Sequence, residues 1–269
     1  MPTAGVTIFG ILNVTRDSFS DGGRFLEPNA AIDHALELAR EGADVVDIGA
    51  ASSHPESEDV PADEEIRRLE PIIRRLVDGG VPVSVDTWQT PVQRFAIAAG
   101  ASWINDIRGF ADRTFHRELA ASSVRLVVMH SIANGPRATR ETTSAEKVFR
   151  GVLAFFDARI AELMAAGVAG DRIVLDPGMG LFLGADPEPS VVVLQRLGEL
   201  RERYGLPLFI SVSRKSLVGR LAGGARRRDA ASLAAELYAV ESGAAFIRTH
   251  EPRLLRDALT VHAALRRPS

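Results

Sequence analysis

Acidic, amide and basic side chains recur at the ends of short apolar runs, where hydrophobicity cannot account for them. Asn13 follows the run 7–12, Asp86 follows 83–85, Asn105 follows 103–104 and Asp176 follows 173–175. His130 ends 126–129, Ser213-Arg214-Lys215-Ser216 follow 208–212, and Arg248-Thr249-His250 follow 246–247. The run 45–48 leads into Ser52, Ser53 and His54. Asp86, Asp176 and Asn105 could together bind a metal, exchange protons or read a heterocycle. A metal cage wants more convergent oxygen or imidazole ligands. An ionised carboxylate accepts several hydrogen bonds at once, which suits a ring edge rich in N–H donors. Arg214, Lys215 and Arg248 bring planar forks and a point charge suited to phosphate oxygens, and a helix start adds backbone N–H donors. Taken singly, each residue has an ordinary alternative as a helix cap, a turn former or a solvated charge, Asp176-Pro177 above all. Their repetition at successive run ends is what points to a site.

The elements that would carry them are parallel strands. A strand buried on both faces reads as a continuous apolar run, and parallel pairing needs a crossover of about a dozen residues. Helical patterning fills the intervals at 28–41, 62–78, 91–99, 144–166, 187–204, 229–242 and 252–265, with a weaker helix near 115–121. Gly42, Gly100, Gly205 and Gly243 stand as stops. Eight strand endings separated by helices predict a (β/α)8 TIM barrel, one α/β domain over 1–269, with its chemistry at the C-terminal ends of the strands. The loops after strands seven and eight, where Lys215 and Arg248 fall, are where such barrels often hold phosphate. Two loops stand out. The first, 15–24, is rich in Asp, Ser and Gly; the second, 132–143, reads as a plain surface connection.

The chain has 269 residues, 46% hydrophobic and 25% charged, enough for one large core and too apolar for disorder. A net charge of −3 offers no global attraction to nucleic acid or to an anionic membrane. Cysteine is absent, which excludes disulfides and thiolate metal sites. No leader-like segment or bilayer-length apolar run is present, so a soluble, cytoplasmic protein is expected. There is no phosphate loop of the GxxxxGK type, no dinucleotide fingerprint after Gly178-Met179-Gly180 and no zinc-ligand spacing among the histidines. A Schiff-base role for Lys215, as in a sugar-phosphate lyase, is disfavoured by its position after Arg214, which places it outside an apolar pocket.

Six separated motifs, in order along the whole chain, resemble the dihydropteroate synthase family. They are Gly10-Ile-Leu-Asn-Val-Thr-Arg-Asp-Ser-Phe-Ser-Asp-Gly-Gly23, Ser84-Val-Asp-Thr87, Ile104-Asn-Asp-Ile107, Asp176-Pro-Gly-Met-Gly180, Ser213-Arg-Lys-Ser216 and Arg248-Thr-His250. The resemblance implies a homodimeric barrel that condenses 6-hydroxymethyl-7,8-dihydropterin pyrophosphate with p-aminobenzoate, releasing pyrophosphate and using Mg2+. It also implies roles. Asp86, Asn105, Asp176 and Lys215 would hold the pterin, and Asn13 would ligate the magnesium. Arg248 and His250 would grip the pyrophosphate. Asp17 in the first loop would join Asp86 in stabilising positive charge, and Ser53, Pro55 and Ser216 would border the p-aminobenzoate pocket.

Two stretches depart from the family pattern. The loop after the second strand reads Ser52-Ser-His-Pro55, with His54 where the family has Arg. After Asp176-Pro-Gly, the stretch Met179-Gly-Leu-Phe-Leu-Gly-Ala-Asp-Pro187 is longer and more apolar than the common form. Both resemble the sulfonamide-insensitive branch, with Leu181 and Phe182 as candidates for an added apolar contact near the p-aminobenzoate pocket. The alternatives are a non-catalytic pterin-binding paralogue, or a pterin-dependent methyltransferase domain, which would have no use for Asn13, Arg248 and His250.

Overall fold

The computed structural model describes residues 5–14, 28–52, 57, 59–133, 135, 137–224 and 228–266. Its first half runs β1 (Thr7–Asn13), α1 (Pro28–Arg40), β2 (Val45–Gly49), α2 (Ala62–Asp78), β3 (Val83–Asp86), α3 (Thr90–Ala98), β4 (Trp103–Asp106) and α4 (His116–Ala121). It continues through β5 (Arg125–Met129), α5 (Ala145–Ala165), β6 (Ile173–Asp176), α6 (Glu188–Gln195), α7 (Leu197–Tyr204) and β7 (Phe209–Ile210). The last part is α8 (Ser216–Leu221), α9 (Asp229–Glu241), β8 (Phe246–Thr249) and α10 (Pro252–Leu265). The strands pair in parallel in the order β6-β5-β4-β3-β2-β1-β8-β7. One backbone bridge, Leu175 to Leu208, joins the two outer strands and closes the barrel. Among the described residues no helix is long and apolar enough to cross a membrane.

The period of two along each strand divides its side chains between two environments. Ile8, Val46, Val85, Ile104, Leu126, Val128, Ile173, Leu175 and Ile247 face outward into the main core with the helices. The alternate residues Phe9, Val45, Trp103, Val127, Val174, Phe209 and Phe246 form a separate cluster inside the barrel. Phe9 meets Trp103 and Phe209 edge-on, each with centroids 5.0 Å apart. Edge-to-face pairs of this kind add about 0.5–1.5 kcal/mol beyond area burial. At the N-terminal end of β5 the Arg125 guanidinium lies 4.2 Å from the Trp103 ring centre. The barrel therefore has an aromatic floor, and only its upper rim is left for chemistry.

Three expectations need correction. The predicted helix 187–204 is two helices, because Arg196 departs from helical geometry (φ −106°, ψ 17°). Its guanidinium sits 3.7 Å from the Phe149 ring centre and pairs with Glu146 and Glu199, a tertiary cause with no glycine or proline to announce it. The seventh strand shrinks to Phe209–Ile210, and the short helix α8 follows it. The stretch 132–143 is more than a surface connection. Ile132 N–H donates to Phe182 O (3.0 Å), Thr139 N–H to Leu181 O (3.1 Å) and Ala185 N–H to Glu141 O (2.9 Å). It is laced to the loop that follows β6.

Candidate active site

Inward alternation continues above the aromatic floor, but the residue types change. Two positions beyond Val45, Trp103, Val174 and Phe246 stand Asp47, Asn105, Asp176 and Arg248. Asp86, beside Asn105 in register, completes the ring. These side chains meet. Arg248 Nε donates to Asp47 Oδ2 at 2.5 Å and Arg248 Nη2 to Asp86 Oδ2 at 2.9 Å. Asn105 Nδ2 lies 3.5 Å from Asp47 Oδ2. Asp47 Oδ1 and Asn105 Oδ1 are buried without a hydrogen-bond partner among the described residues. An unpaired buried acceptor costs about 1–3 kcal/mol, so a pair of them side by side is a stored preference for a ligand with adjacent N–H donors.

Asp47 is the site residue that the sequence pattern conceals. It lies inside the run 45–48 instead of at its end, and the continuous apolar pattern masks it. The available signal is parity, since Asp47 shares the inward face of β2 with Val45.

Burial governs the electrostatics. It pushes the Asp86 carboxyl up to about 7; the Arg248 charge works against this and the Asp47 charge adds to it. Burial also raises Asp176 to about 6, opposed by the Gly178 N–H, Lys215 and Arg248. The Gly178 N–H donates to Asp176 Oδ1 at 2.8 Å. Gly178 has φ +78°, and a Cβ there would lie 2.4 Å from His130 O, so this turn requires glycine.

The surroundings of Lys215 differ from those its sequence position suggests. Its Nζ lies 4.6 Å from the Phe182 ring centre, and burial brings its pKa down to about 8, against the charge of Asp176. Far from lying outside an apolar pocket, it has an aromatic wall. That wall is a small cluster of Phe182, Ile107, Met129 and Ala138, with Trp88 and Leu181 packed on it. Ser216 stands nearby, its Oγ 3.7 Å from where a Cβ on Gly180 would sit. Arg214 turns away: it pairs with Asp229 at 3.1 Å and with Glu251, so its fork is taken up outside the mouth.

His250 lies at the end of β8 with Nδ1 3.0 Å from Ser213 Oγ. Burial, then the positive charges of Arg248, Arg214 and Lys215, push its pKa down to about 3, so the ring is neutral at pH 7. Asn13 ends β1 as an exposed amide, in register with Gly49, and Gly49 abuts Asp86. Asp17, Ser53, His54 and Pro55 lie outside the described residues. No group of three or more His, Asp or Glu side chains among the described residues could hold a metal ion. A single exposed amide oxygen nonetheless suits Mg2+, which keeps most of its waters and is commonly held by one or two protein oxygens plus phosphates.

A model of the pterin binding enzyme family matches residues 9–250. Dihydropteroate synthase type-2 of Escherichia coli is 54% identical over 260 residues, covering 96% of each chain. A dihydropteroate synthase from Xanthomonas albilineans, solved with 4-aminobenzoic acid, superposes with a TM-score of 0.88 at 37% identity, covering 100% of this chain and 96% of that one. The same enzyme in complex with 7,8-dihydropteroate superposes with a TM-score of 0.83 at 34% identity over the same shares. An eight-stranded barrel with a convergent ring of Asp47, Asp86, Asn105, Asp176, Lys215 and Arg248, and this likeness over nearly its full length, place the chain in the dihydropteroate synthase family.

Proposed function

We propose that the chain joins 6-hydroxymethyl-7,8-dihydropterin pyrophosphate to p-aminobenzoate, giving 7,8-dihydropteroate and pyrophosphate. The observation that carries this reading is the pair of unpaired acceptors, Asp47 Oδ1 and Asn105 Oδ1, above the aromatic floor and beside a caged arginine. In this reading Asp47, Asp86, Asn105 and Asp176 accept from the pterin's N–H edge while the Lys215 ammonium donates to a ring acceptor. The ring then lies flat over Phe9 and its neighbours, with its methylene toward the rim.

Cleavage of the C–O bond ahead of attack leaves a cation delocalised into the dihydropterin. The carboxylate of Asp86 is then stabilised by that charge, and stabilises it, in a site sheltered from water. Asp17 is assigned the same role from the first loop. Arg248, whose Nη1 meets no acceptor among the described residues, and neutral His250 receive the departing diphosphate by hydrogen bonding. Mg2+ held by Asn13 and the diphosphate oxygens would supply charge neutralisation to the leaving group. The arylamine is weakly basic and neutral near pH 7, so its nitrogen needs placement more than a strong base. Ser216, Ser53, Pro55 and the Phe182 wall are assigned to that placement.

The apolar stretch at Leu181 and Phe182 supports a further point, that bulkier sulfonamides are excluded there. Exposed Tyr238 on α9 and Leu254, Val261 and Leu265 on α10 support a dimer formed through this face. The test of the whole reading is pyrophosphate release measured with and without p-aminobenzoate. Release that depends on the arylamine and yields dihydropteroate is expected. Pterin binding with no release would leave a non-catalytic pterin binder.

A further inference from the structure

Helix α9 presents an unusual buried face toward the ends of β7 and β8. Ser232 and Glu236, one turn apart and therefore neighbours on that face, are 4% and 2% exposed. The role of Ser232 is plain, since its Oγ accepts the Arg214 N–H at 2.9 Å and so fixes a residue held at φ +55°. Glu236 has no part in the chemistry assigned to the mouth. Its carboxyl faces the hydroxyls of Thr249 and Ser213, and its Oε1 is buried without a partner. No cation pairs with it among the described residues. A buried carboxylate without a counter-charge is expensive, and the low-cost state is the neutral acid. Burial accordingly pushes Glu236 up to about 7.

The hydrogens available at Ser213 give this position its meaning. Ser213 Oγ accepts the His250 backbone N–H at 3.2 Å and lies 3.0 Å from His250 Nδ1. It owns one proton. If Glu236 were a carboxylate, it would draw the protons of both hydroxyls it faces, Thr249 and Ser213, and Nδ1 would have to carry the imidazole hydrogen and donate to Ser213. The bare Nε2 would then face the rim as an acceptor, which repels a diphosphate. If Glu236 is the acid, its O–H donates to the Ser213–Thr249 hydroxyl pair and Ser213 donates to Nδ1. The imidazole hydrogen then sits on Nε2.

We propose that Glu236 is a positioning residue: as a neutral acid acting through Ser213, it holds His250 in the Nε2–H tautomer, the form that donates to a diphosphate oxygen. This rests on the assignment of His250 to the diphosphate. A neutral histidine can serve an anion only as a donor, so the tautomer decides whether it helps or hinders. The charged groups around the network are Glu251 beside Glu236, and Arg248, Arg214 and Lys215 around His250. Arg228, which donates to the Arg214 carbonyl, and Asp229, which pairs with Arg214, complete the surroundings.

The test combines 15N-histidine NMR, which distinguishes the tautomers, with calorimetric binding of inorganic pyrophosphate to the wild type, Glu236→Gln and His250→Ala. The wild type is expected as Nε2–H near about pH 6, with Nδ1–H gaining by about pH 8. Glu236→Gln, whose amide donates at every pH, is expected to stay Nε2–H throughout. Relative to that variant, wild-type affinity for pyrophosphate should fall about three- to tenfold across the interval, the worth of one hydrogen bond. Pyrophosphate's own ionisation cancels in the comparison. The same tautomer in both proteins at both pH values overturns the proposal. If His250→Ala binds pyrophosphate like the wild type, the diphosphate role of His250 falls instead, and the NMR result separates the two failures.

Discussion

Replacing Asp47 by Asn removes one charge from the mouth and almost no volume. Asp47 does two things at once: Oδ2 takes the Arg248 Nε–H at 2.5 Å, and Oδ1 is left for a ligand. A hydrogen bond to a charged group is worth about 1.5–3 kcal/mol, and 1.4 kcal/mol is tenfold in affinity, so the loss of a carboxylate acceptor should weaken ring binding about 10- to 100-fold. A second effect opposes the first. The Asp47 charge helps hold Asp86 up at about 7, behind the larger effect of burial, so neutralising Asp47 lets Asp86 ionise at lower pH. The acid-side fall in pterin affinity should therefore move to lower pH in Asp47→Asn while affinity at neutral pH drops. The assay is fluorescence titration with unphosphorylated 6-hydroxymethylpterin from about pH 5 to pH 8, a range set by the Asp86 and Asp176 carboxyls. Unchanged affinity together with an unchanged acid limb would refute the assignment of Asp47 to the ring.

Three further outcomes are expected. His130 is buried, its Nδ1 is 3.2 Å from Pro177 O, and burial lowers its pKa to about 4 from the ordinary 6.5. Between those values the unfolded chain binds a proton that the folded one refuses, so stability falls as pH falls, by about 3 kcal/mol in all. Asp86 and Asp176, raised by burial, act in the opposite direction, so the variant-minus-wild-type difference isolates the histidine. His130→Gln should flatten that part of the acid-denaturation curve, and an identical curve would count against it. Shortening 181–183 should convert weak sulfonamide inhibition into strong inhibition; intact protein inhibited as strongly as an ordinary synthase would end that reading. Charged substitutions at Leu254 and Val261, 43% and 59% exposed, should give a monomer by ultracentrifugation if the α9–α10 face joins two copies.

The barrel is legible in the sequence because its strands are buried on both sides and punctuated by polar residues. Asp86 and Asp176 end their strands, Asn105 and Arg248 stand one residue before the end, and Lys215 follows β7 just ahead of α8; all meet at one rim. Asp47 escapes the same rule, because Ile48 and Gly49 continue β2 beyond it and only alternation marks it. Glu236 is hidden for a different reason: a helix pattern does not say which carboxylate lies against strand ends and which lies in water. The break at Arg196 depends on Glu146, Glu199 and the Phe149 ring, two of them distant in sequence. The setting of Lys215 is equally illegible, because its aromatic neighbour, Phe182, comes from the preceding loop and not from its own strand.

The lone bridge between Leu175 and Leu208 has a mechanical consequence. A cylinder joined by ladders on every side but one, the β7–β8 ladder being short, has a seam where a single bridge closes it, and local opening begins where backbone bonds are fewest. The seam divides the mouth unequally. Asp47, Asp86, Asn105 and Arg248 hang from the continuous wall, whereas Lys215 and the Phe182 loop border the weak joint. Most of the ring's assigned partners thus hang from the rigid wall, while Asp176, Lys215 and the Phe182 wall assigned to the arylamine lie along the compliant edge, so breathing there can admit the second reactant while Asp47, Asp86 and Asn105 keep hold of the first. Amide exchange at Leu175 faster than at Val46 or Ile104 would be its signature; uniform protection around the barrel would mean the seam stays shut.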